Sequence, residues 1–485
     1  MRYHSTRDSQ KTVDSAQAVL SGLAADGGLY VPEYLPEIDV EACLKESTMD
    51  MAKRIIGALL PDVPDMDTLV TRAYTGKFTA PDLTPTVQAG DFTVLELFHG
   101  PTSAFKDVAL CMLPQLLTAS KTAKGMEEEI LILTATSGDT GKAALEGFRD
   151  VDGVRICVFY PHGGVSKVQR AQMVTQEGNN VAVCAVEGNF DDAQTGVKNI
   201  FAAGIDGRLP GGNGYRLSTA NSINIGRLAP QVTYYFKAYA DLMKAGKIAM
   251  GDKVNFCVPT GNFGDILAGY LAKKLGLPVG MLVCASNANN VLTDFIRTGT
   301  YDRRRPLHKT ISPSMDILVS SNLERLLYLL SGDTQLVAKL MKQLSEEGVY
   351  TVPAALQEAI AESFWAGCCD DTGASSTIKK VWEENRYLCD THTATGWAVA
   401  EEYVAATGDK RPMVVLSTAS PYKFPAAVLG SLEALSDDDE FAQMERLQAL
   451  TGVAIPKNLT GLQQKPERHT GVIPKNEMLQ YVMQL

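Results

Sequence analysis

The stretch HGPTSAFKDVAL (residues 99–110) places a lysine where its positive charge is poorly supported. The Gly-Pro pair predicts a turn, and the residues after it predict a helix with Lys106 in its first turn. A cation there faces the positive end of the helix dipole, and its neighbours Phe105 and Val108 are apolar. Both effects favour the neutral amine, a nucleophile able to form a Schiff base with an aldehyde. The alternative is that Lys106 extends into solvent while Asp107 balances its charge.

From residue 92 onward, short apolar runs alternate with helical segments. The predicted strands are 92–98, 129–135, 154–160, 180–186, 253–258, 279–285 and 412–417, and the predicted helices between them include 139–149, 191–203, 227–244, 264–275 and 394–406. Several of the strands are nearly continuous apolar runs, which is typical of strands buried on both faces of a parallel sheet. We therefore predict an α/β architecture with right-handed crossovers.

Changes of pattern along the chain suggest three parts. They are an N-terminal segment at 1–90, a small α/β domain at 91–240 that carries Lys106, and a large α/β domain at 241–485 that carries a glycine-rich loop. Region 287–390 is predicted to be a mostly helical insertion, with an exposed loop at 297–313. The polar tail 456–485 is expected to run over the surface.

Composition limits the function. The chain has 485 residues, 45% of them hydrophobic and 21% charged, as in ordinary globular proteins. Its net charge of −11 argues against nucleic acid and acidic membranes as partners, so any anionic substrate must be held by local donors. No run suits a membrane span, the N-terminus lacks a secretory signal, and the nine cysteines contain no CxxC pair. We expect a cytoplasmic protein without a metal site that acts on a small molecule, as a monomer or a homodimer.

A glycine-rich turn follows one predicted strand in PTGNFGD (259–265). Glycines at a strand-to-helix turn let main-chain N–H groups converge, and the helix N-terminus adds positive potential. The segment lacks the GxGxxG spacing and the lysine of a Walker loop, so it favours a compact phosphate ester over a nucleotide. The alternative is a glycine-rich turn without a ligand.

A second turn of this kind is ATSGDTG (135–141), which offers the polar side chains of Asp139 and Thr140 at a predicted helix start. It resembles a P-loop only superficially, because the first glycine of that motif is missing and Ala143 replaces its Ser or Thr. The alternative is that Ser137 or Asp139 simply caps the helix.

Polar side chains are closely spaced in STANSINIGR (218–227). Asn221, Ser222 and the forked guanidinium of Arg227 form a candidate second oxyanion site. The alternative is an ordinary helix cap followed by a surface arginine.

The last predicted strand ends in LSTASPYKFP (416–425), at the edge where open α/β sheets place ligands. The hydroxyl of Thr418 is a candidate partner for a ring nitrogen. The alternative is that this hydroxyl caps the strand end.

Taken together, these segments resemble the tryptophan-synthase-β-like (fold type II) family of pyridoxal-phosphate enzymes, and within it the threonine synthases. The resemblance extends to the N-terminal stretches YHSTRD (3–8) and GLAADGGLYVPEYLP (22–36). Dehydratases and cysteine synthases share the general plan but not the DGGLYVPE segment. The resemblance implies two open, twisted α/β domains with pyridoxal 5′-phosphate between them, preceded by an N-terminal helical segment.

The resemblance also implies roles for individual residues. Lys106 would carry the cofactor and act as the mobile acid–base, and Thr418 would bond the pyridine nitrogen. The cofactor phosphate would be held, mostly through main-chain N–H groups, by Gly261, Asn262, Phe263, Gly264 and Asp265. The substrate phosphate would be gripped by Asn221, Ser222 and Arg227, with Thr140 and Asn262 nearby.

Three positions depart from the pattern of the family. Asp139 stands where many relatives have an asparagine near the cofactor 3′-oxygen, and two anions share one site poorly. Ser420 and Tyr422 stand where relatives often have His and Ala.

The implied reaction converts O-phospho-L-homoserine and water into L-threonine and phosphate, by γ-elimination followed by addition of water at Cβ. Two alternatives stay open: another lyase of the same fold, such as a threonine or serine dehydratase, and a non-catalytic relative that binds pyridoxal phosphate or phosphate. The polar cluster at Asn221, Ser222 and Arg227 separates them, because a substrate without phosphate has no need of it.

Overall fold

The computed structural model describes residues 1–136, 138–204, 207–209, 214–435 and 439–485. Within these ranges the chain forms sixteen β-strands and twenty α-helices. In chain order the strands are β1 Arg2–Ser5, β2 Thr12–Asp14, β3 Tyr30–Pro32, β4 Thr86–Ala89, β5 Phe92–Glu96, β6 Ile130–Ala135, β7 Val154–Pro161, β8 Val181–Glu187, β9 Arg216–Ser218, β10 Val254–Pro259, β11 Val279–Ser286, β12 Thr300–Asp302, β13 Val349–Thr351, β14 Phe364–Cys368, β15 Met413–Ser417 and β16 Val472–Pro474.

The helices alternate with these strands through most of the chain. They are α1 Ser15–Ser21, α2 Val40–Cys43, α3 Thr48–Leu59, α4 Met66–Tyr74, α5 Lys106–Ala123, α6 Asp139–Phe148, α7 Lys167–Val174, α8 Phe190–Ala203, α9 Ile225–Leu228, α10 Val232–Lys244, α11 Gly264–Lys274, α12 Val291–Thr298, α13 Leu323–Ser331, α14 Thr334–Glu346, α15 Ala354–Ala361, α16 Asp371–Asn385, α17 Thr391–Thr407, α18 Pro425–Leu432, α19 Glu440–Thr451 and α20 Met478–Val482. Among the described residues, no helix combines the length and apolarity needed to cross a bilayer.

Two parallel sheets dominate the fold. One has six strands in the order β14-β11-β10-β15-β5-β4, and only its edge pair β4–β5 is antiparallel. The other has five parallel strands in the order β16-β8-β7-β6-β9. Strand β10 is buried along its whole length, as its apolar sequence predicts for a central strand. The α/β prediction is confirmed, and all seven predicted strands form close to their predicted ends.

Two strands, one early and one late in the chain, join a sheet other than the one expected from their position in the sequence. Strand β5 lies within the range predicted for the small domain, but it pairs with β15 in the six-stranded sheet. The tail at 456–485 does more than run over the surface, because β16 pairs with β8 and extends the five-stranded sheet. These pairings join residues hundreds of positions apart, so no local pattern reveals them. The division at 90 and 240 stays a prediction.

Region 287–390 contains helices α12 to α16, but it is not a purely helical insertion. Strand β14 extends the six-stranded sheet next to β11, and β12 pairs with β13. The prediction of an exposed loop at 297–313 is wrong at both ends. It includes β12, and Ser312 is buried (1% exposed) where the chain turns inward.

Helix α5, which begins at Lys106, packs closely against α6. At Gly147 in α6, an added Cβ would lie 2.0 Å from the carbonyl oxygen of Leu110 in α5. The two helices therefore approach to a distance that only glycine permits at this point. Because Lys106 and Asp139 open these two helices, their packing sets the relative position of the two residues.

We expect Gly147→Ala to destabilise the protein by about 1–3 kcal/mol, because the clash is with main chain that must shift. The midpoint of urea-induced unfolding measures the change. The matched control is Gly57→Ala in α3, where the nearest atom to the added Cβ lies at 3.6 Å. That change should leave the midpoint unchanged or raise it, since alanine is the better helix former. Equal midpoints for the two variants would contradict the packing argument.

Candidate functional site

A cavity of about 330 Å³ lies where strands from both parallel sheets end. Its wall includes residues that end or follow β6, β10 and β15, the position at which open α/β sheets place ligands. Every predicted site residue lines this cavity: Lys106, Asp139, Thr140, Asn221, Ser222, Arg227, Gly261, Asn262, Phe263, Gly264, Asp265 and Thr418. The structure therefore brings the predicted site together, while the role of each residue stays a prediction.

A short backbone bridge fixes the start of α5 beside the end of β15. Ala104 pairs with Ala419, and the N–H of Phe105 donates to the carbonyl of Thr418 at 2.8 Å. The carboxylate of Asp107 turns back and accepts from the N–H of Thr102 at 2.8 Å. Asp107 thus caps its own loop instead of balancing the charge of Lys106.

The amine of Lys106 is held inside the cavity. The residue is only 9% exposed, which excludes the alternative in which it extends into solvent. Its Nζ donates to Oγ of Ser314 at 3.2 Å and lies 3.8 Å from Oδ2 of Asp139. Burial, assisted by the charges of Lys423 and Arg227, lowers the pKa of Lys106 to about 8. A substantial fraction of the amine is therefore neutral near physiological pH, as a nucleophile or a general base requires.

Asp139 forms a buried ion pair with Lys423. The distance between Lys423 Nζ and Asp139 Oδ1 is 2.6 Å, and Lys423 has no exposed surface. Gln169 also donates to Asp139 Oδ1, at 3.0 Å. Burial opposes ionisation, but Lys423 and Lys106 prevail and hold the pKa of Asp139 far below its usual range. Asp139 is thus an anion whose charge is already matched before any ligand binds.

The turn before α6 is closed by a threonine. Thr136 Oγ1 accepts from the N–H groups of Gly138 and Gly141, at 3.0 and 2.9 Å. Of the two caps considered from the sequence, Asp139 is instead paired with Lys423, and Ser137 lies outside the described residues. Gly138 has φ of +146°, and an added Cβ would lie 2.4 Å from the side chain of Gln169. Because Thr136 closes the turn, the Asp139 carboxylate is not needed as a cap and contacts Lys106 and Lys423 instead.

The glycine loop after β10 forms an open cradle at the N-terminus of α11. Phe263 adopts a left-handed conformation (φ 64°), which turns the chain into the helix. Within the described residues, the N–H groups of Gly261, Asn262, Phe263 and Gly264 have no hydrogen-bond partner. Several free N–H groups at a helix N-terminus, lining a cavity, fit a phosphate group. The loop therefore fits the cofactor phosphate that the sequence predicted for it.

Asp265 differs from the rest of the cradle. Its Oδ1 accepts from the hydroxyl groups of Tyr234 and Tyr235, at 2.5 and 3.0 Å, while its buried Oδ2 has no partner in the described structure. Burial raises the pKa of Asp265 to about 6. A carboxylate would repel a phosphate, so only the main-chain N–H of Asp265 suits the predicted role.

The polar cluster at 221–227 carries a buried guanidinium. Asn224 does cap the short helix α9, accepting from the N–H of Gly226 at 2.9 Å, so that part of the alternative interpretation holds. Arg227, however, is not a surface residue, because it is only 2% exposed. Its Nη1 donates to the carbonyl of Ala220 at 2.7 Å, and its buried Nε has no partner in the described structure. A buried, unpaired guanidinium N–H in a residue that lines a cavity suits an anionic ligand.

Thr418 and Ser417 divide two tasks at the end of β15. Ser417 Oγ lies 3.0 Å from Thr393 Oγ1, so this hydroxyl stabilises the strand end. The hydroxyl of Thr418 makes no hydrogen bond within the described structure and lines the cavity. It thus remains available to a ligand.

Sequence reasoning missed three groups beside the amine. Lys423 lies in the strand-end segment, but no local pattern connects it with Asp139. Ser314 follows the predicted exposed loop, and nothing local connects it with Lys106. His392 lines the cavity, bonds Asp390 through Nδ1 at 2.7 Å and accepts from the N–H of Ser314 at 3.1 Å. The signal for His392 was the helix-capping sequence DTHT, which was not singled out.

Comparison with known proteins gives consistent results along the chain. Family models match for "Threonine synthase N terminus" at 2–74, "Pyridoxal-phosphate dependent enzyme" at 73–363 and "Threonine synthase, C-terminal" at 393–483. The chain is 38% identical over 470 residues to threonine synthase from Saccharomyces cerevisiae, covering 90% of each protein. It is 38% identical over 435 residues to human threonine synthase-like 1, covering 86% of this chain and 58% of that protein.

A solved structure matches as well. The crystal structure of PLP-bound threonine synthase from Brucella melitensis superposes with a TM-score of 0.86 at 38% identity, covering 100% of this chain and 99% of that one. The similarity therefore includes both sheets and the N-terminal segment.

The Asp139–Lys423 pair gives a stability prediction. We expect Lys423→Met to destabilise the protein by about 3–5 kcal/mol, because it leaves an uncompensated buried carboxylate. The urea unfolding midpoint measures this, and adding Asp139→Asn should recover part of the loss. The control is Lys380→Met, which breaks an exposed pair with Glu401 and should cost at most about 1 kcal/mol. A midpoint for Lys423→Met equal to that of the control would contradict the buried pair.

Proposed function

Because the chain belongs to the threonine synthase family of pyridoxal-phosphate-dependent enzymes, we propose that its cavity binds the cofactor at Lys106 and the substrate phosphate at Arg227. The protein is a pyridoxal-phosphate-dependent lyase that converts O-phospho-L-homoserine and water into L-threonine and phosphate. One observation carries the assignment of the site: a buried amine and two separate anion-binding groups line a single cavity.

The residues present fit pyridoxal 5′-phosphate. The free N–H groups from Gly261 to Gly264 would hold its phosphate, and the hydroxyl of Thr418 would face its ring nitrogen. Lys106 would bind its aldehyde carbon. When bound, the cofactor supplies the electron sink that makes the protons on Cα and Cβ of the substrate removable.

Lys106 is the residue that moves protons in this proposal. Its Nζ would be free once the substrate amine takes its place at the cofactor. It would accept the Cα proton, pass that proton on within the bound substrate and cofactor, and, neutral again, accept a Cβ proton. A pKa of about 8 suits this work, because the amine can both accept and return a proton near neutral pH. Ser314 Oγ, which accepts a hydrogen bond from Nζ at 3.2 Å, directs the amine.

Arg227 would hold the leaving phosphate. This residue lines the cavity and its buried Nε has no partner in the described structure, so a phosphate bound there would satisfy a group whose isolation is otherwise costly. Asn221, Ser222 and Thr140 line the same cavity. As phosphate departs from Cγ, the guanidinium stabilises the charge that gathers on the leaving oxygen.

We also propose that the protein is a cytoplasmic enzyme, a monomer or a homodimer, that acts on a small molecule and not on nucleic acid. Support comes from the net charge of −11 and from nine cysteines that are all free.

Lys106→Ala should abolish both threonine formation and covalent capture of the cofactor, since no other amine occupies its place. The visible absorbance of the cofactor measures its capture, and a threonine assay measures product formation. The control is Lys273→Ala, a partly buried lysine in α11 that donates to the carbonyl of Gly280 and should retain both signals. Threonine formation by Lys106→Ala would refute the proposal.

The same amine predicts a pH dependence. Only the neutral amine attacks an aldehyde, so cofactor capture by the apoprotein should accelerate as pH rises, with a midpoint near 8. Stopped-flow absorbance measures the rate. In Asp139→Asn the midpoint should move lower, because the Asp139 charge raises the pKa of Lys106. A midpoint near 10 in the unaltered chain would contradict the buried position of the amine.

Arg227→Ala should raise KM for O-phospho-L-homoserine by about 10- to 100-fold, the cost of a charge-assisted hydrogen bond. The Ki for inorganic phosphate should rise with it. The control is Arg297→Ala, an exposed arginine paired with Glu402 whose loss should change neither constant. Unchanged constants in Arg227→Ala, in a folded protein, would shift the assignment to a substrate without phosphate, as in a hydroxyamino-acid dehydratase.

A further inference from the structure

Asn322 lies between the cofactor cradle and the substrate clamp, the latter being Asn221, Ser222 and Arg227. Its side-chain Nδ2 donates to the carbonyl of Ser222 at 3.1 Å and to the carbonyl of Asn262 at 3.2 Å. Its own N–H donates to the same Asn262 carbonyl at 3.0 Å. One amide group therefore contacts the main chain of both anion sites, and Asn322 itself is fully buried (0% exposed).

These bonds orient the peptide groups of the cradle. In a trans peptide the C=O and N–H point in opposite directions. When Asn322 binds the Asn262 carbonyl from behind, the N–H of Phe263 is directed away from Asn322. Ser320 does the same one residue earlier, donating from Oγ to the carbonyl of Gly261 at 2.8 Å, which orients the N–H of Asn262. The N–H groups of Asn262 and Phe263 have no partner within the described structure, and these two residues line the cavity.

Arg325 anchors Asn322 from the other side. This arginine is 1% exposed, and its guanidinium donates to Oδ1 of Asn322 at 2.5 Å, which fixes the amide with its Nδ2 towards the two carbonyls. It also donates to the carbonyl of Ile223, next to the clamp, at 2.5 Å, and to the carbonyl of Tyr30 at 3.0 Å. The clamp, Asn322 and the N-terminal strand β3 are thus joined at one side chain.

The neighbouring residue makes a second link to the N-terminus. Glu324, itself buried, accepts from Nε and Nη2 of Arg7 at 2.7 and 2.8 Å, and from the hydroxyl of Thr6 at 2.6 Å. Thr6 and Arg7 belong to YHSTRD (3–8), and Tyr30 lies in the other N-terminal stretch singled out in the sequence. Neither N-terminal stretch has a role in the proposed reaction. These hydrogen bonds give both stretches a structural role.

We propose that residues 320–325, here called the brace, fix the distance and orientation between the cofactor cradle and the substrate clamp, with Asn322 as the positioning residue. The proposal rests on the proposed function, since it assigns one anion site to the cofactor and the other to the substrate. It also gives a function to part of region 287–390. Placing the substrate phosphate relative to the cofactor sets which substrate carbons lie near Lys106, and displacement of about 1 Å is enough to slow such a reaction.

The experiment compares three variants of the full-length enzyme. Asn322→Ala removes the link to both sites, so the Kd for pyridoxal phosphate and the KM for O-phospho-L-homoserine should each rise about tenfold, as loss of buried hydrogen bonds predicts. Ser320→Ala removes a bond to the cradle alone, so Kd should rise by about three- to tenfold while KM stays within about twofold. The control is Asn180→Ala, whose Nδ2 bridges the carbonyls of Phe148 and Val154, both at 2.8 Å, outside the cavity.

The outcomes separate positioning from stability. If Asn322→Ala lowers the melting temperature but changes Kd and KM no more than Asn180→Ala does, the brace is structural only and the proposal is overturned. If Asn322→Ala does not fold, Ser320→Ala decides: an unchanged Kd, or an equal rise in KM, overturns it. Should the unaltered protein form no threonine, the proposed function fails separately. The Kd for pyridoxal phosphate and the Kd for inorganic phosphate then read the two sites in the same variants.

Discussion

Two buried basic side chains, Lys106 and Arg227, line the cavity together with Asp139, and this carboxylate pairs with a third buried cation, Lys423, behind the wall. A buried cation is costly unless something balances its charge. Burial lowers the pKa of Lys106, so that this amine can lose its proton. Arg227 Nε and the N–H groups of the cradle have no hydrogen-bond partner within the described structure, so an anion is the ligand that suits them. In a chain of net charge −11, these local donors are the groups that the proposed phosphate ligands would meet.

The geometry of the parallel sheets brings these groups together. Strands β6, β10 and β15 end at the same cavity, and two of them lead into helices, α6 and α11, whose N-termini face it. Lys106 comes from a third helix start, held beside Thr418 by the bridge between Ala104 and Ala419. The N-terminus of a helix contributes N–H donors and positive potential, so each helix that begins at the cavity favours the binding of an anion. The acidic surface is compatible with anion binding for this reason.

The sequence was sufficient for the strands, the cradle and the amine, because each depends on a local pattern: an apolar run, a glycine turn, or a lysine at a helix start. It was not sufficient for Lys423, Ser314 and Asn322, whose partners lie far away along the chain. Lys106, for example, meets Ser314 across 208 positions. The same limit hid the pairing of β16 with β8. Local chemistry was therefore predictable, whereas the groups that tune and position it were not.

The two departures beside Thr418 lie outside the cavity. Ser420 Oγ accepts from the N–H of Tyr422, and the hydroxyl of Tyr422 donates to the carbonyl of Val453, so this tyrosine bonds the segment after α19. Neither residue lines the cavity, whereas Lys423, the next residue, reaches Asp139 behind its wall. Asp139, which stands where many relatives have an asparagine, is compatible with an anionic neighbour because of this pairing with Lys423. Its charge is already matched by Lys423, so a phenolate or phosphate oxygen nearby meets an ion pair and not an isolated anion.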